Sequence, residues 1–365
     1  MEASFSILML ITSVLALSTA PSLADDAKPK VTAMYVFGDS LIDNGNNIYF
    51  VVAVAKAKFW PYGIDFDKGP TGRFCNGKTL VDYIGELLGL PLIPSYADAN
   101  AKGENIMYGV NYASAGSGIL EDTGDQLGRL VPLREQISNF ESTLNQLKDQ
   151  MQTEDLSDYL AKAIVFLDMG SNDYLNNYLF PFEHQSSKSN SPQEFADLLV
   201  KQYEGHILEL QKLGVRKFFI AEVAPIGCIP FFLGQGKVPP GECEPSSNNL
   251  AQMFNSRLKP LVNRLNSENP GSVFSLGGSF KIFMTLRDNA DDYGFTVKDK
   301  PCCDVGINKR AALCRPYTEP CFNREQYLFW DNAHPTQAAN RLLAHWIFNS
   351  TTYNFPFSIQ KLAEM

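Results

Sequence analysis

Only four histidines occur in this chain of 365 residues: His184, His206, His334 and His345. Imidazole is the side chain best matched to removing a proton from a weak nucleophile near neutral pH. His334 alone follows a carboxylate at loop-like spacing, in the run Trp330-Asp331-Asn332-Ala333-His334-Pro335-Thr336. A carboxylate so placed can fix the ring's tautomer and support the imidazolium that forms during proton transfer. His206 and His345 fall in helix-period segments, and His184 in a polar stretch rich in serine. The partner such a base would serve is a hydroxyl, which is inert until its proton is removed. Ser40, in Gly38-Asp39-Ser40-Leu41, directly follows an apolar run and is the candidate nucleophile. For the two to work together, folding must join residues near opposite ends of the chain.

Acyl transfer also needs donors aimed at the oxygen that becomes charged. Gly116 leaves its backbone N–H accessible, Asn172 offers a side-chain amide, and Ser40 adds its own N–H at what reads as a helix start. Losing one such donor costs about 2.7–4 kcal/mol of transition-state stabilisation. There is no Gly-x-Ser-x-Gly, which excludes the usual nucleophile elbow of the α/β-hydrolases. Taken singly, each residue also has a plain structural role. Gly38-Asp39-Ser40 suits a capped strand-to-helix turn, and Asp331 with His334 suits the entry to a helix begun by Pro335. Asn172 suits a turn, and Gly116 a relaxed loop. Their joint placement, after strands or before the last helix, is what singles them out.

The elements that must position these residues are legible as a periodicity. Val31 to Phe37, Met107 to Ala113, Ala163 to Asp168, Arg216 to Val223 and Ser272 to Leu276 read as buried strands. Between them, Lys78 to Leu88, Leu133 to Met151, Pro192 to Leu213 and Asn248 to Asn266 have helical spacing, and Pro335 to Phe348 closes the series. Solidly apolar strands alternating with helices predict an α/β fold, with a parallel sheet covered on both faces. In such a sheet, working residues lie just beyond the carboxyl ends of strands, where Ser40, the Gly116 loop and Asn172 fall.

Composition narrows the function classes. The chain is 45% hydrophobic and 19% charged, which suits a packed globular protein and excludes disorder. Thirty-one Lys and Arg against 40 Asp and Glu give a net charge of −9, so no basic surface for nucleic acid or anionic lipid is expected. Phe5 to Leu17 is nearly continuously apolar and leads to Ala24-Asp25, which predicts a secretory leader over residues 1–24, although Glu2 replaces the usual positive start. One domain is expected over 25–365, with no stable membrane anchor. Seven cysteines in an exported chain predict three disulfides and one spare thiol, Cys75. Cys228 and Cys243 bracket a Pro/Gly-rich loop, whereas the pairing among Cys302, Cys303, Cys314 and Cys321 stays open. That cluster lacks the spacing of a zinc site, and no metal or organic cofactor is implied. Asn349-Ser350-Thr351 is a glycosylation sequon.

From about Tyr35 to the last helix, the chain resembles the plant-type GDSL esterases/lipases of the SGNH hydrolase superfamily. The resemblance rests on Ser40, Gly116, Asn172 and His334 with Asp331, and on the blocks Pro61-Tyr62-Gly63, Thr71-Gly72-Arg73-Phe74, Asn76-Gly77, Gly109 to Ser114, Gly170 to Tyr174 and Phe329 to Thr336. Cys75 stands where the family usually has serine, and Asp304 where glycine is common. The resemblance implies a three-layer α/β/α, flavodoxin-like sandwich with a five-stranded parallel sheet. It also implies a secreted serine carboxylic ester hydrolase, exported to the apoplast or cell wall, with the vacuole as the other destination. Ser40 would carry the acyl-enzyme, Asp331 and His334 would complete the triad, and Ser40, Gly116 and Asn172 would hold the oxyanion. The substrate would be a small-molecule, lipid or carbohydrate acyl ester. An acyltransferase of cutin-polymerising type would use the same acyl-enzyme, and a non-catalytic lipid or carbohydrate binding protein is the alternative of another class. Phe59, Trp60, Phe231, Phe232 and Leu233 are candidates for an acyl groove.

Overall fold

Four of the apolar runs become parallel strands: β1 (Met34–Gly38), β2 (Ile164–Asp168), β3 (Lys217–Ala221) and β4 (Val273–Gly277). They pair in that order, with Gly38 opposite Asp168 and Ala221 opposite Gly277. The sequence and the order together dictate right-handed crossovers through helices. The structure is a computed structural model that describes residues 29–180, 182–306 and 312–365; the leader read at 1–24 lies outside these. A separate two-stranded parallel sheet joins β5 (Val297–Pro301) to β6 (Tyr327–Phe329). The fifth strand of the main sheet is β7 (Asn354–Phe355), which is antiparallel to β4.

The fifth parallel strand expected at Met107 to Ala113 is replaced by an irregular ribbon along β1. Met34 N–H donates to Tyr108 O (3.0 Å), Val36 N–H to Val110 O (3.1 Å), and Tyr112 N–H to Val36 O (2.8 Å). Gly109 explains the break. Its φ of +116° interrupts the extended repeat, and a Cβ there would lie 1.9 Å from the Met34 carbonyl oxygen. β1 is thus hydrogen-bonded on both edges, as a central strand is.

The helices are α1 (Leu80–Leu87), α2 (Leu133–Lys148), α3 (Thr153–Lys162), the one-turn α4 (Ser171–Asp173), α5 (Ser186–Ser189), α6 (Pro192–Lys212), α7 (Pro230–Leu233), α8 (Pro245–Glu268), α9 (Ser279–Asp288), α10 (Gln337–Asn349) and α11 (Ile359–Ala363). Strand residues of alternate parity face different layers. Tyr35, Phe37, Val165 and Leu167 pack with Phe140 of α2, Leu199 of α6 and Phe254 of α8. Met34, Val36, Phe166 and Phe219 pack with Ile84 of α1, Ile282 of α9 and Leu343 of α10. The result is three layers around a mostly parallel sheet. A third, small cluster joins Tyr62, Phe74 and Trp330 to the paired cysteines of the 302–321 loop.

Helix boundaries follow the local capping chemistry. α8 begins at Pro245, three residues earlier than its apolar spacing suggests, because Glu244 accepts from Ser246 N–H and Ser247 N–H. α10 begins after Thr336, whose hydroxyl accepts from Ala339 N–H, so Pro335 is not its first residue. Pro335 instead closes a short antiparallel bridge to Phe329. No helix starts at Ser40: residues 40–42 form a single turn, in which Asp43 N–H donates to Asp39 O at 2.9 Å.

Buried polar side chains hold the loops at the carboxyl end of the sheet. Gln136 of α2 accepts from Gly38 N–H (3.0 Å) and donates to Gly38 O (2.9 Å) and Val131 O (2.9 Å), clamping the end of β1. Asp43 accepts from Gly45, Asn46 and Ala115 N–H groups and so ties the first loop to the ribbon. Asp173 accepts from the N–H groups of Ile119 and Leu120 and from the Thr123 hydroxyl. Burial pushes both carboxyls up to about 6, although their donors pull the other way.

Two outcomes follow from these supports. Gln136→Leu takes the side-chain partner from Gly38 N–H and Val131 O, while Gly38 O keeps the Ser114 N–H, and should lower unfolding stability by about 2 kcal/mol in a denaturant titration with disulfides intact. An unchanged midpoint would refute the clamp. A carboxyl raised on folding binds its proton more tightly in the folded chain, so its contribution is full near the unfolded value and fades as pH rises through the folded one. Asp43 and Asp173 should therefore make stability fall between about pH 4 and pH 7, against the smaller opposing effect of His206, whose pKa burial lowers. Denaturant midpoints that rise across that interval would contradict this account.

Candidate active site

His334 and Asp331 come together as the spacing suggests, but within a loop tighter than a simple helix entry. Trp330 N–H donates to His334 O at 2.8 Å and closes the loop on itself. That turn brings His334 Nδ1 to 2.9 and 2.8 Å from the two Asp331 carboxylate oxygens. Asp331 Oδ1 also accepts from Ala333 N–H (2.9 Å) and His334 N–H (2.7 Å). The carboxylate is fully buried and the imidazole nearly so. With Nδ1 donating to the carboxylate, Nε2 carries the lone pair that a general base needs. Among the described residues Nε2 has no hydrogen-bond partner.

Two aromatic residues complete this corner, and neither received a role from the sequence. Tyr62 donates its hydroxyl to Asp331 Oδ2 at 2.7 Å. The Phe74 ring lies 5.1 Å from the imidazole, centroid to centroid. Both sit in blocks that carry the resemblance, yet nothing local in those blocks marks a contact with residues more than 250 positions away. The disulfide loop backs the same corner. Cys302–Cys321 and Cys303–Cys314 are the pairings that the sequence left open, Cys228–Cys243 closes the Pro/Gly-rich loop, and Cys75 is the buried free thiol. Cys302 N–H and Cys303 N–H donate to the carbonyls of Phe329 and Trp330, and Asn332 N–H to Ala312 O.

Ser40 lies two residues beyond β1 and is half-buried. Its neighbour Asp39 lies within electrostatic reach of His334. The Ser40 hydroxyl makes no hydrogen bond with His334 here. Desolvation, with the nearby Asp168, holds the Asp39 carboxyl well above the usual carboxylate range.

The expected oxyanion donors differ in their state. Gly116 is buried, and neither its N–H nor that of Ser40 has a partner among the described residues. Nearly all buried N–H groups are paired in native folds, so an open one beside a reactive loop is informative. Gly116 has φ +86°, and a Cβ there would lie 2.8 Å from Leu127 Cδ1, so glycine fits on two counts. Asn172 follows β2 within α4. Both hydrogens of its amide are engaged, one by Asp39 Oδ2 (3.0 Å) and one by Ser117 O (3.1 Å).

The other histidines and the sequon fall outside this cluster, whereas two of the acyl-groove candidates border it. His184 bonds Gln126, His206 lies beside Glu209, and His345 is exposed on α10. Asn349 is exposed at the end of α10. Of the acyl-groove candidates, Phe59 packs on Tyr62, Trp60 O accepts from Tyr317 N–H, and Phe231 N–H donates to Asn332 O. Phe232 packs edge-on against Phe231, and Leu233 ends α7. Among the described residues there is no group of His, Cys, Asp and Glu arranged to hold a metal ion.

The family model for GDSL-like lipase/acylhydrolase matches residues 34–347. A GDSL esterase/lipase of Arabidopsis thaliana is 46% identical over 338 residues, 91% of this chain and 88% of its own. A second from the same plant is 43% identical over 357 residues, covering 98% and 95%. GDSL esterase/lipase 7 of Arabidopsis thaliana is 45% identical over 345 residues, covering 93% and 94%. The matched span runs from the first residue of β1 into α10 and takes in Ser40, Gly116, Asn172, Asp331 and His334: the chain belongs to the GDSL-like lipase/acylhydrolase family.

Proposed function

We propose that the protein is a secreted carboxylic ester hydrolase that works through an acyl-enzyme on Ser40. The observation that carries this reading is a buried, hydrogen-bonded Asp331–His334 pair with a free Nε2, at the same sheet end as two unpaired N–H donors. The relatives' names, esterases and lipases throughout, support the same reaction class.

In this mechanism His334 Nε2 takes the Ser40 proton as Oγ attacks the ester carbonyl. The new oxyanion lies between the N–H groups of Ser40 and Gly116, with the Asn172 amide beside them. Asp331 supports the imidazolium, which then protonates the departing alcohol as the C–O bond breaks. Water repeats the sequence: its proton goes to Nε2, its oxygen to the acyl carbon, and the proton returns to Ser40 as the acid leaves. Catalytic hydrogen bonds often tighten only when substrate is bound, and the open Ser40–His334 arrangement suits that behaviour. Export is supported by three disulfides, which persist in oxidising compartments. The exposed Asn349 sequon would carry a glycan there. No helix among the described residues is long and apolar enough to cross a membrane.

Ser40→Ala should lower nitrophenyl-ester turnover by about a thousand-fold or more and abolish labelling by a serine-reactive phosphonate, with unfolding unchanged. Retained turnover would end the acyl-enzyme mechanism. Gly116→Ala should lower kcat by about 100-fold with little change in KM, because the loss falls on the transition state. A loss confined to KM would remove Gly116 from the oxyanion site.

A further inference from the structure

The hydroxyl of Tyr62 is buried against the carboxylate of the proposed triad. The phenol is fully enclosed, with Phe59, Phe74 and Trp330 packed edge-on around its ring at 5.2, 6.0 and 6.5 Å. Its oxygen accepts the Cys314 N–H at 3.0 Å. That bond fixes which way the hydroxyl proton points: it goes to Asp331 Oδ2, 2.7 Å away. Cys314 is in turn fixed by its disulfide to Cys303, whose N–H donates to Trp330 O in the triad loop.

We propose that Tyr62 is a positioning residue that, oriented by the N–H of the disulfide-bonded Cys314, sets how strongly Asp331 holds the imidazolium of His334. This rests on the hydrolase reading above. A donor on Oδ2 draws off part of the carboxylate's charge and pins the oxygen facing Nδ1. Without it, the buried carboxylate lacks one of its four donor groups and concentrates its charge on the imidazole, which then keeps its proton to higher pH. Among the described residues, the other ionisable groups near this corner are Cys75, whose thiol burial pushes up to about 12, Asp39 within electrostatic reach of His334, and the Arg73–Asp82 pair beyond Cys75. A change at Tyr62 leaves all of them in place, so a comparison of two pH profiles isolates the hydroxyl.

The test is the pH dependence of nitrophenyl-ester hydrolysis by the full-length protein and its Tyr62→Phe variant, with Ser40→Ala as the control. The expected result is an acidic limb of kcat/KM displaced upward by about half a pH unit or more, with kcat at pH 6 reduced several-fold and KM nearly unchanged. A variant with 3,5-difluorotyrosine at position 62 keeps the packing and strengthens the donor, so its acidic limb should move downward. Limbs that coincide for all three proteins overturn the proposal, even if Tyr62→Phe is less stable, because a purely structural role would not move them. Wild-type turnover that Ser40→Ala leaves intact would instead overturn the hydrolase reading itself, so the two failures are distinct.

Discussion

A bare carboxylate cannot be buried without donors, and Asp331 is buried completely. Much of the active-site corner follows from meeting that demand. Two donors come from its own loop, the N–H groups of Ala333 and His334, so the backbone must double back within three residues. A third is the imidazole of His334, which is thereby held in one orientation. The fourth crosses from Tyr62. Each donor is itself secured: the loop by the Trp330–His334 bond, the phenol by Cys314, and the whole segment by the disulfide loop behind it. The apolar cluster of Tyr62, Phe74 and Trp330 and the disulfides bring the segments together, and the charge sets how their donors are aimed. The high cost of leaving such a group unpaired is therefore what specifies the geometry.

The opposite wall of the site uses the same physics in place of regular structure. The loops after β1 and after the ribbon contain almost no helix or strand, so their backbone groups need other partners. Asn46 Nδ2 donates to the carbonyls of Asn111 and Ala113, Asn47 to that of Ala115, and Asn111 to that of Ile42. Together with Asp43 and Gln136, these side chains stand in for a ladder. Such a network can hold an N–H open at a chosen point, which a helix or strand cannot do in its interior. The unpaired donors of Ser40 and Gly116 lie where the network leaves gaps.

These two kinds of support differ in how well they can be read from the sequence. β2 and β3 and the helices α1, α2 and α6 follow apolar spacing, and the structure places them within one to three residues of that reading. The Asp331–His334 contact is legible because histidine is scarce and only His334 has a carboxylate in its own loop. Where reading and structure part, the deciding feature is one that apolar spacing does not show. Met107 to Ala113 has strand composition, but Gly109 fits under the Met34 carbonyl and breaks the repeat. The fifth strand is two residues long and too short to leave a pattern. Ser40 opens a turn rather than a helix because Asp43, which would continue it, is drawn to the N–H groups of Gly45, Asn46 and Ala115. Tyr62 could not be assigned at all, since its partners lie 252 and 269 residues away.

Asn172 shows how the two walls are joined. Its amide holds the Asp39 carboxylate on one side and the Ser117 carbonyl on the other, and its own oxygen accepts from Asn176. An oxyanion forming beside Ser40 would therefore meet one N–H already shared with a carboxylate, and two backbone N–H groups that are not shared. The backbone donors need no rearrangement, which is the condition under which electrostatic stabilisation is most effective. The amide has a different value. Because it bonds the residue next to Ser40, it fixes the nucleophile's backbone relative to the end of β2. The buried polar groups around Ser40 and Asn172 are thus anchored at the end of the sheet, and those around Asp331 and His334 on the disulfide-bonded segment behind them.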